Sequence, residues 1–184
     1  MNWLKKILLL TAFATGIAHA APDYRFTLQS EHGTVRDSDF ADKYLLLTFG
    51  YTSCPDICPL TLYELSKVVK KLDHPEKVQV IFISIDTGFE TPEQIANYVR
   101  HFHPDFIGLT GDYSELKALG KRYGATFGFR ADGKDVEPPN LPEKYSVYHS
   151  ALVYLLSPER TMLERFAYQV KDDVMANVIN RHVQ

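Results

Sequence analysis

Cysteine is nearly absent from this 184-residue chain, which holds two, Cys54 and Cys58, with three residues between them. A closed structural zinc site takes four protein ligands, so the lack of a third cysteine excludes a thiolate cage. Methionine is also scarce, at three residues. Met162 and Met175 are therefore read as adaptable core filler rather than as thioether ligands. Positive charge is not in excess, with 20 Lys and Arg against 23 Asp and Glu. That balance gives no basis for binding nucleic acid or an anionic membrane surface. There is no internal repeat, no low-complexity tract and no linker that would divide the chain, which leaves one domain of ordinary size.

The first twenty residues read differently from the rest. Lys5 and Lys6 precede a short apolar run from Ile7 to Ile17, and Ala18-His19-Ala20 offers small residues around a cleavage point. This order predicts a secretory signal peptide over residues 1–20, with the mature domain covering 21–184. The run falls short of the about 20 residues that span a bilayer. An uncleaved anchor is the alternative, and it is the one expected route to membrane contact apart from a partner. No cysteine follows the run, so lipid attachment there is not expected. Export leaves 18 basic against 23 acidic residues, a net charge of −5. It also places the protein outside the cytoplasm, in a bacterium on the periplasmic side of the inner membrane, where a disulfide between the two cysteines is permitted.

Along the remaining chain, residues 24–29 and 34–36 predict a small N-terminal hairpin around Glu31-His32-Gly33. Tyr44 to Phe49 and Val78 to Ile85 are nearly unbroken apolar runs, the pattern of strands buried on both faces. Between them, Leu62, Leu65, Val68, Val69 and Leu72 recur at helical spacing, predicting a helix from Cys58 to Leu72. Strand, helix and strand in this order require a parallel pair with a crossover helix. Thr91-Pro92-Glu93 opens a further helix to about His101. Asp112 and Glu115 suggest a capping box for another, ending near Arg122. Residues 126–130, 150–156 and 162–168 read as later strands, the last two joined by a turn at Ser157-Pro158-Glu159-Arg160. Asp172 to about Arg181 closes the chain as a helix. The expected architecture is an α/β, thioredoxin-like fold, with a mixed central sheet, helices on both faces and an N-terminal hairpin. Residues 131–146, with Gly133, Pro138, Pro139 and Pro142, show no periodicity and are expected to form a long loop of functional character.

The chemistry concentrates in Phe49-Gly50-Tyr51-Thr52-Ser53-Cys54-Pro55-Asp56-Ile57-Cys58-Pro59, where a buried strand turns into a helix. Free N–H groups and the partial positive charge of a helix N-terminus favour thiolate over thiol. With a helix starting near Pro55, the cysteines stand about one turn apart, roughly 6 Å along the axis. Such a turn lies at the carboxyl edge of the sheet, where doubly wound folds hold ligands. The spacing is Cys-x-x-x-Cys; the shorter Cys-x-x-Cys would read as a dithiol oxidoreductase. Two soft thiolates suit Cu(I) or zinc, and an added imidazole makes the set tolerable for Cu(II). Copper binding, a redox dithiol and an inert disulfide all remain compatible with the two residues alone.

The cysteine segment, then Ser84-Ile85-Asp86, Thr91-Pro92-Glu93, Phe106-Ile107-Gly108-Leu109-Thr110-Gly111 and His149-Ser150, in that order, resemble the Sco/SenC family. The resemblance runs from about Tyr24 to the C-terminus. It implies a copper-binding protein of thioredoxin-like fold that helps assemble the copper centre of cytochrome c oxidase. Cys54, Cys58 and His149 match the family's copper ligands, and the segment before His149 matches a mobile loop over the site. The implied partners are the copper-carrying subunit of the oxidase as acceptor and another copper chaperone as donor. The implied activity is metal transfer, not turnover, or else thiol–disulfide reduction of the acceptor's cysteines by Cys54 and Cys58. Tyr148 stands where family members often carry Asp, and Thr87-Gly88-Phe89-Glu90 replaces a stretch commonly closer to Pro-Glu-Arg-Asp. Asp86 reads either as an acceptor behind the metal ligands or as a cap of its own turn. Tyr51 is the tyrosine expected to line the site, and Asp56 is expected to tune the local field or bond a free N–H.

Other candidates fare worse. His101-Phe102-His103 falls at a helix end, where cations are stabilising without any metal. Thr52-Ser53-Cys54 superficially resembles a peroxidase site. That pattern wants threonine and proline where this chain has Tyr51 and Leu47.

Overall fold

The computed structural model describes residues 23–183, so the predicted signal segment lies outside the described residues. The two apolar runs form β3 (Tyr44–Gly50) and β4 (Val78–Ser84), paired in parallel from Tyr44 opposite Val78 to Gly50 opposite Ser84. Both are buried along nearly their whole length because each face carries its own core. Leu46, Val80 and Phe82 enter one hydrophobic cluster, while Leu45, Leu47, Phe49, Ile81 and Ile83 enter the other. The period-2 alternation of a strand is thus present, hidden because both faces are apolar.

The central sheet has five strands in the order β10-β9-β3-β4-β5, completed by β5 (Ile107–Leu109), β9 (Leu152–Leu156) and β10 (Met162–Ala167). β5 runs parallel to β4, and β9 is antiparallel to β3. Helices α1 (Ile57–Val69), α2 (Pro92–Arg100) and α4 (Asp172–His182) supply Leu62, Leu65, Val68, Ile95, Val99, Met175 and Ile179 to the first cluster. On the other face, α3 (Tyr113–Tyr123) joins the hairpin of β1 (Thr27–Ser30) and β2 (Gly33–Arg36) through Leu116, Leu119, Tyr123, Tyr24, Phe26 and Leu28. This is the thioredoxin-like mixed sheet with helices on both faces.

Several boundaries differ from expectation. α1 begins at Ile57 and ends at Val69, so Cys54 precedes the helix and Leu72 lies in the turn after it, still buried. Thr91 caps α2 in a reciprocal box with Gln94. Asp112 is the N-cap of α3 but makes no side-chain cap bond, so the box with Glu115 does not form.

The larger correction concerns residues 131–146. β6 (Phe127–Ala131), β7 (Lys134–Val136) and β8 (Ser146–His149) form a separate three-stranded sheet in the order β7-β6-β8. Asp132 and Gly133 make the two-residue hairpin turn, both at positive φ (49° and 73°), the geometry for which Asp-Gly is favoured. Only the stretch between β7 and β8 remains irregular.

Candidate metal centre

Three segments meet at the carboxyl edge of β3. Tyr51 to Asp56 connect β3 to α1, and Cys54 donates its backbone N–H to Tyr51 O at 3.3 Å. Cys58 sits in the first turn of α1 and is buried, while Cys54 is half-buried in the connecting turn. Gly50 makes room for this packing. A Cβ there would stand 2.9 Å from Cys58 Sγ and 2.6 Å from the Phe82 ring. His149, the last residue of β8, arrives from the other side.

The imidazole Nε2 of His149 lies 3.4 Å from Cys58 Sγ, and Cys54 Sγ accepts the Cys58 N–H at 3.5 Å. The three donor atoms all lie within 4.8 Å of one another, and no other such group of His, Cys, Asp and Glu exists among the described residues. Bond lengths of about 2.0–2.3 Å, those typical of imidazole and thiolate on zinc, would separate neighbouring donors by about 3.3–4.0 Å at tetrahedral to trigonal angles. The set therefore fits one soft ion with modest adjustment. His149 is oriented through Nδ1, 3.2 Å from Ser150 O. That contact calls for the tautomer with the proton on Nδ1 and leaves Nε2 as the free ligand atom.

The two thiols are electrostatically unequal. Burial pushes the Cys58 thiol strongly up, a shift that the Tyr51 backbone bond only partly offsets. At Cys54 burial also raises the value, but it is outweighed by hydrogen bonds from the backbone of Asp56 and Cys58 and from the Tyr51 side chain, so the net shift is downward. Tyr51 packs edge-on against the His149 ring, 5.9 Å between centroids, and burial next to Cys54 pushes its hydroxyl up to about 12. It is therefore a neutral donor at the rim.

Burial holds His149 below the ordinary imidazole range, with the Ser150 contact opposing that shift. The unfolded chain then takes up this proton at higher pH than the folded one. The contribution to stability is complete above the ordinary value of about 6.5 and is lost as pH falls toward the lower folded value. Burial raises Asp86 and Glu90, which act in the opposite sense, so the comparison must be made between variants. For the reduced, metal-free protein, the fall in urea midpoint from pH 7.5 to 5.5 is expected to be smaller in His149→Gln than in the unsubstituted protein. An equal fall in both would show that His149 is not buried neutral.

Asp86 is buried but does not join the sulfurs. Its Oδ1 accepts the Tyr145 hydroxyl at 2.6 Å, which ties the segment before β8 to the end of β4. Its backbone carbonyl accepts the N–H groups of Phe89 and Glu90, while its carboxylate is engaged by Tyr145. Tyr148 faces away from the site, because successive residues of a strand point to opposite sides. It covers Gly128, where a Cβ would come 2.5 Å from its hydroxyl, and the Arg130 guanidinium lies 5.4 Å from its ring centre. His101 contacts Asn97 O, and His103 lies near Asp105, so neither takes part in a donor group. Tyr145, Gly50 and Glu90 bond or pack around the site, and the sequence pattern gave none of them a role of its own.

Residues 15–184 match the family described as SCO1/SenC. The chain belongs to this family. Among SCO1/SenC relatives it is 34% identical over 160 residues to Protein sco1 of Schizosaccharomyces pombe, covering 85% of this chain and 59% of that one. The chain thus spans little more than half the length of that relative. The copper-bound structure of Arabidopsis thaliana ScoI superposes with a TM-score of 0.76 at 30% identity, covering 89% of this chain and 98% of that one. Copper-bound Bradyrhizobium japonicum ScoI gives 0.72 at 30% identity, with 86% and 98% covered.

Proposed function

We propose that this SCO1/SenC protein carries one copper ion as cargo on Cys54, Cys58 and His149, and delivers it to the copper-carrying subunit of cytochrome c oxidase. The convergence of two sulfurs and one imidazole nitrogen within 4.8 Å supports this reading. Two thiolates suit Cu(I), and the imidazole extends the set to Cu(II). The half-buried Cys54 is the sulfur a dithiol acceptor could reach first, so ligand exchange would begin there. Residues 1–20 act as the export segment in this reading, and 21–184 as the copper domain on the outer side of the inner membrane. Among the described residues no helix is long and apolar enough to cross a membrane.

A second reading, thiol–disulfide reduction of the acceptor, is favoured by the inequality of the two thiols. The Cys54 thiolate would attack one acceptor sulfur and expel the other as thiolate. Cys58 would then lose its proton and attack Cys54, leaving a Cys54–Cys58 disulfide and a reduced acceptor dithiol. The two-electron balance closes on these four sulfurs.

His149 separates the readings, because dithiol exchange has no use for it. His149→Ala is expected to weaken Cu(II) binding by about 10–100-fold, the range seen when even supporting residues of a metal site are lost. Oxidase maturation at low copper should fail, while exchange with a small disulfide stays near normal. Full maturation by His149→Ala at low copper would remove the case for the copper carrier and leave the reductase.

A further inference from the structure

Beyond Gly50, β3 and β4 part company. The last bond between them is Ile85 N–H to Gly50 O at 2.9 Å. The turn that carries Cys54 then has one internal backbone bond, from Cys54 N–H to Tyr51 O. Cys54 Sγ is tied to α1 through the Cys58 N–H and Tyr51 packs on His149, but the side-chain bonds that hold Thr52 and Ser53 to the end of β4 all come from one carboxylate. Glu90 Oε1 accepts from Thr52 N–H at 2.5 Å, Thr52 Oγ1 at 2.7 Å and Ser53 N–H at 3.3 Å. Glu90 Oε2 accepts from Ser84 Oγ at 2.5 Å, at the end of β4. The base of Glu90 is fixed as well, since its N–H bonds to Asp86 O and the next residue, Thr91, is the N-cap of α2.

Partly burying a carboxylate is costly unless its lone pairs are satisfied. Here four donors satisfy them, and the side chains that act on the carboxyl among the described residues are those of Ser84, Thr52 and Asp86, with no cation. The arrangement suits a clamp and not a charge pair. Its effect on the two thiols is also unequal. Cys58 is seated by the first turn of α1 and by its place in the first core cluster beside Gly50, whereas Cys54 follows directly on the clamped Thr52 and Ser53.

We propose that Glu90 is the positioning residue for Cys54: by hydrogen bonding, it fixes the turn that aims the Cys54 sulfur at the point shared with Cys58 and His149. This inference rests on the copper-binding reading. If Glu90 acts through hydrogen bonds, glutamine can substitute, since its amide oxygen can take the place of Oε1 and its N–H can donate to the Ser84 hydroxyl. Alanine cannot.

The test uses the reduced mature protein and its Glu90→Ala, Glu90→Gln, Ser84→Ala and Cys54→Ser variants, loaded with Cu(II). Affinity is read by chelator competition, the ligand set by thiolate-to-Cu(II) absorption and paramagnetic resonance, and folding by urea melting. Glu90→Ala is expected to bind about 10–100-fold more weakly, with spectra displaced toward those of Cys54→Ser. Glu90→Gln should stay within about threefold of the unsubstituted protein, inside the effect expected for a supporting residue. Unchanged spectra and affinity in Glu90→Ala would overturn the proposal. So would a Glu90→Gln as weak as the alanine variant, since charge and not geometry would then be at work. If Glu90→Ala does not fold, Ser84→Ala carries the test. Releasing one end of the clamp should weaken binding and displace the spectra in the same direction, and unchanged behaviour overturns the proposal. Failure of the unsubstituted protein to bind copper would instead overturn the copper reading.

Discussion

Cys58→Ser abolishes the intense thiolate-to-Cu(II) absorption expected of the loaded protein and lowers copper affinity by more than about 100-fold. The lower bound follows because loss of a supporting residue alone costs about 10–100-fold, and Cys58 supplies a donor atom 3.4 Å from His149 Nε2. Serine keeps the volume, but its hydroxyl is a hard, neutral oxygen where the site offers a soft thiolate. Cys54→Ser is expected to match it in affinity while perturbing the fold less, since Cys54 is half-buried and Cys58 lies within the first core cluster. Titration of the reduced protein with copper, followed by absorption, checks both. The unsubstituted protein should saturate at about one equivalent, from the one such donor group among the described residues. Retention of the band in Cys58→Ser would place copper elsewhere on the molecule.

Arg160→Met is expected to destabilise the fold by about 3–5 kcal/mol, the cost of leaving a buried partner charge without compensation. Arg160 is 6% exposed and held at φ 65° in the turn between β9 and β10. Its guanidinium donates to the carbonyls of Lys43, Ser157, Pro158, Asp37 and Phe40, and its Nε lies 3.3 Å from Asp37 Oδ2. One side chain thus ties the β9–β10 turn to the 3-10 turn Asp37–Phe40 and to the start of β3. Removing it strands the Asp37 carboxylate and several carbonyls in a site that is largely closed to water. For a domain of this size, melting should fall by about 6–20 °C. Copper affinity of the folded fraction should be unchanged, since Arg160 makes no contact with the donor group. A shift below about 1 kcal/mol in urea denaturation would show that water satisfies these groups.

The sequence foretold elements where local pattern and final environment agree. β3 and β4 were legible because strands buried on both faces need unbroken apolar runs. α2 was legible because Thr91-Pro92 is a strong local start, realised as a box with Gln94. Three strands escaped notice. β5 is only Ile107–Leu109, too short for periodicity, and its Gly108 is there for close packing, since a Cβ would stand 2.6 Å from Ile95 Cγ2. β7 was announced by Asp132-Gly133, a hairpin signal overshadowed by the prolines that follow. β8 alternates exposed with half-buried residues and is defined by its partner, with Phe127 opposite His149 and Phe129 opposite Val147. Such a strand carries little apolar signal of its own.

The metal centre divides along the same line. By itself the sequence determined that Cys54 and Cys58 meet where β3 turns into α1, because their spacing and the strand before them act over a few residues; that Cys54 precedes the helix was left to the structure. Tertiary structure decided what joins them. His149 is 91 positions from Cys58 and reaches it because β9 runs antiparallel to β3, which brings the residues just before Leu152 back to the edge that Gly50 marks. The unequal thiols are also a tertiary result, since burial by neighbouring elements raises one and backbone donors lower the other. The Glu90 clamp spans 38 positions to Thr52 and exists only because the β3–β4 register sets Gly50 beside Ser84. Pattern along the chain reports on neighbours within a turn or a strand. Contacts between distant segments depend on which strands pair, and in which direction.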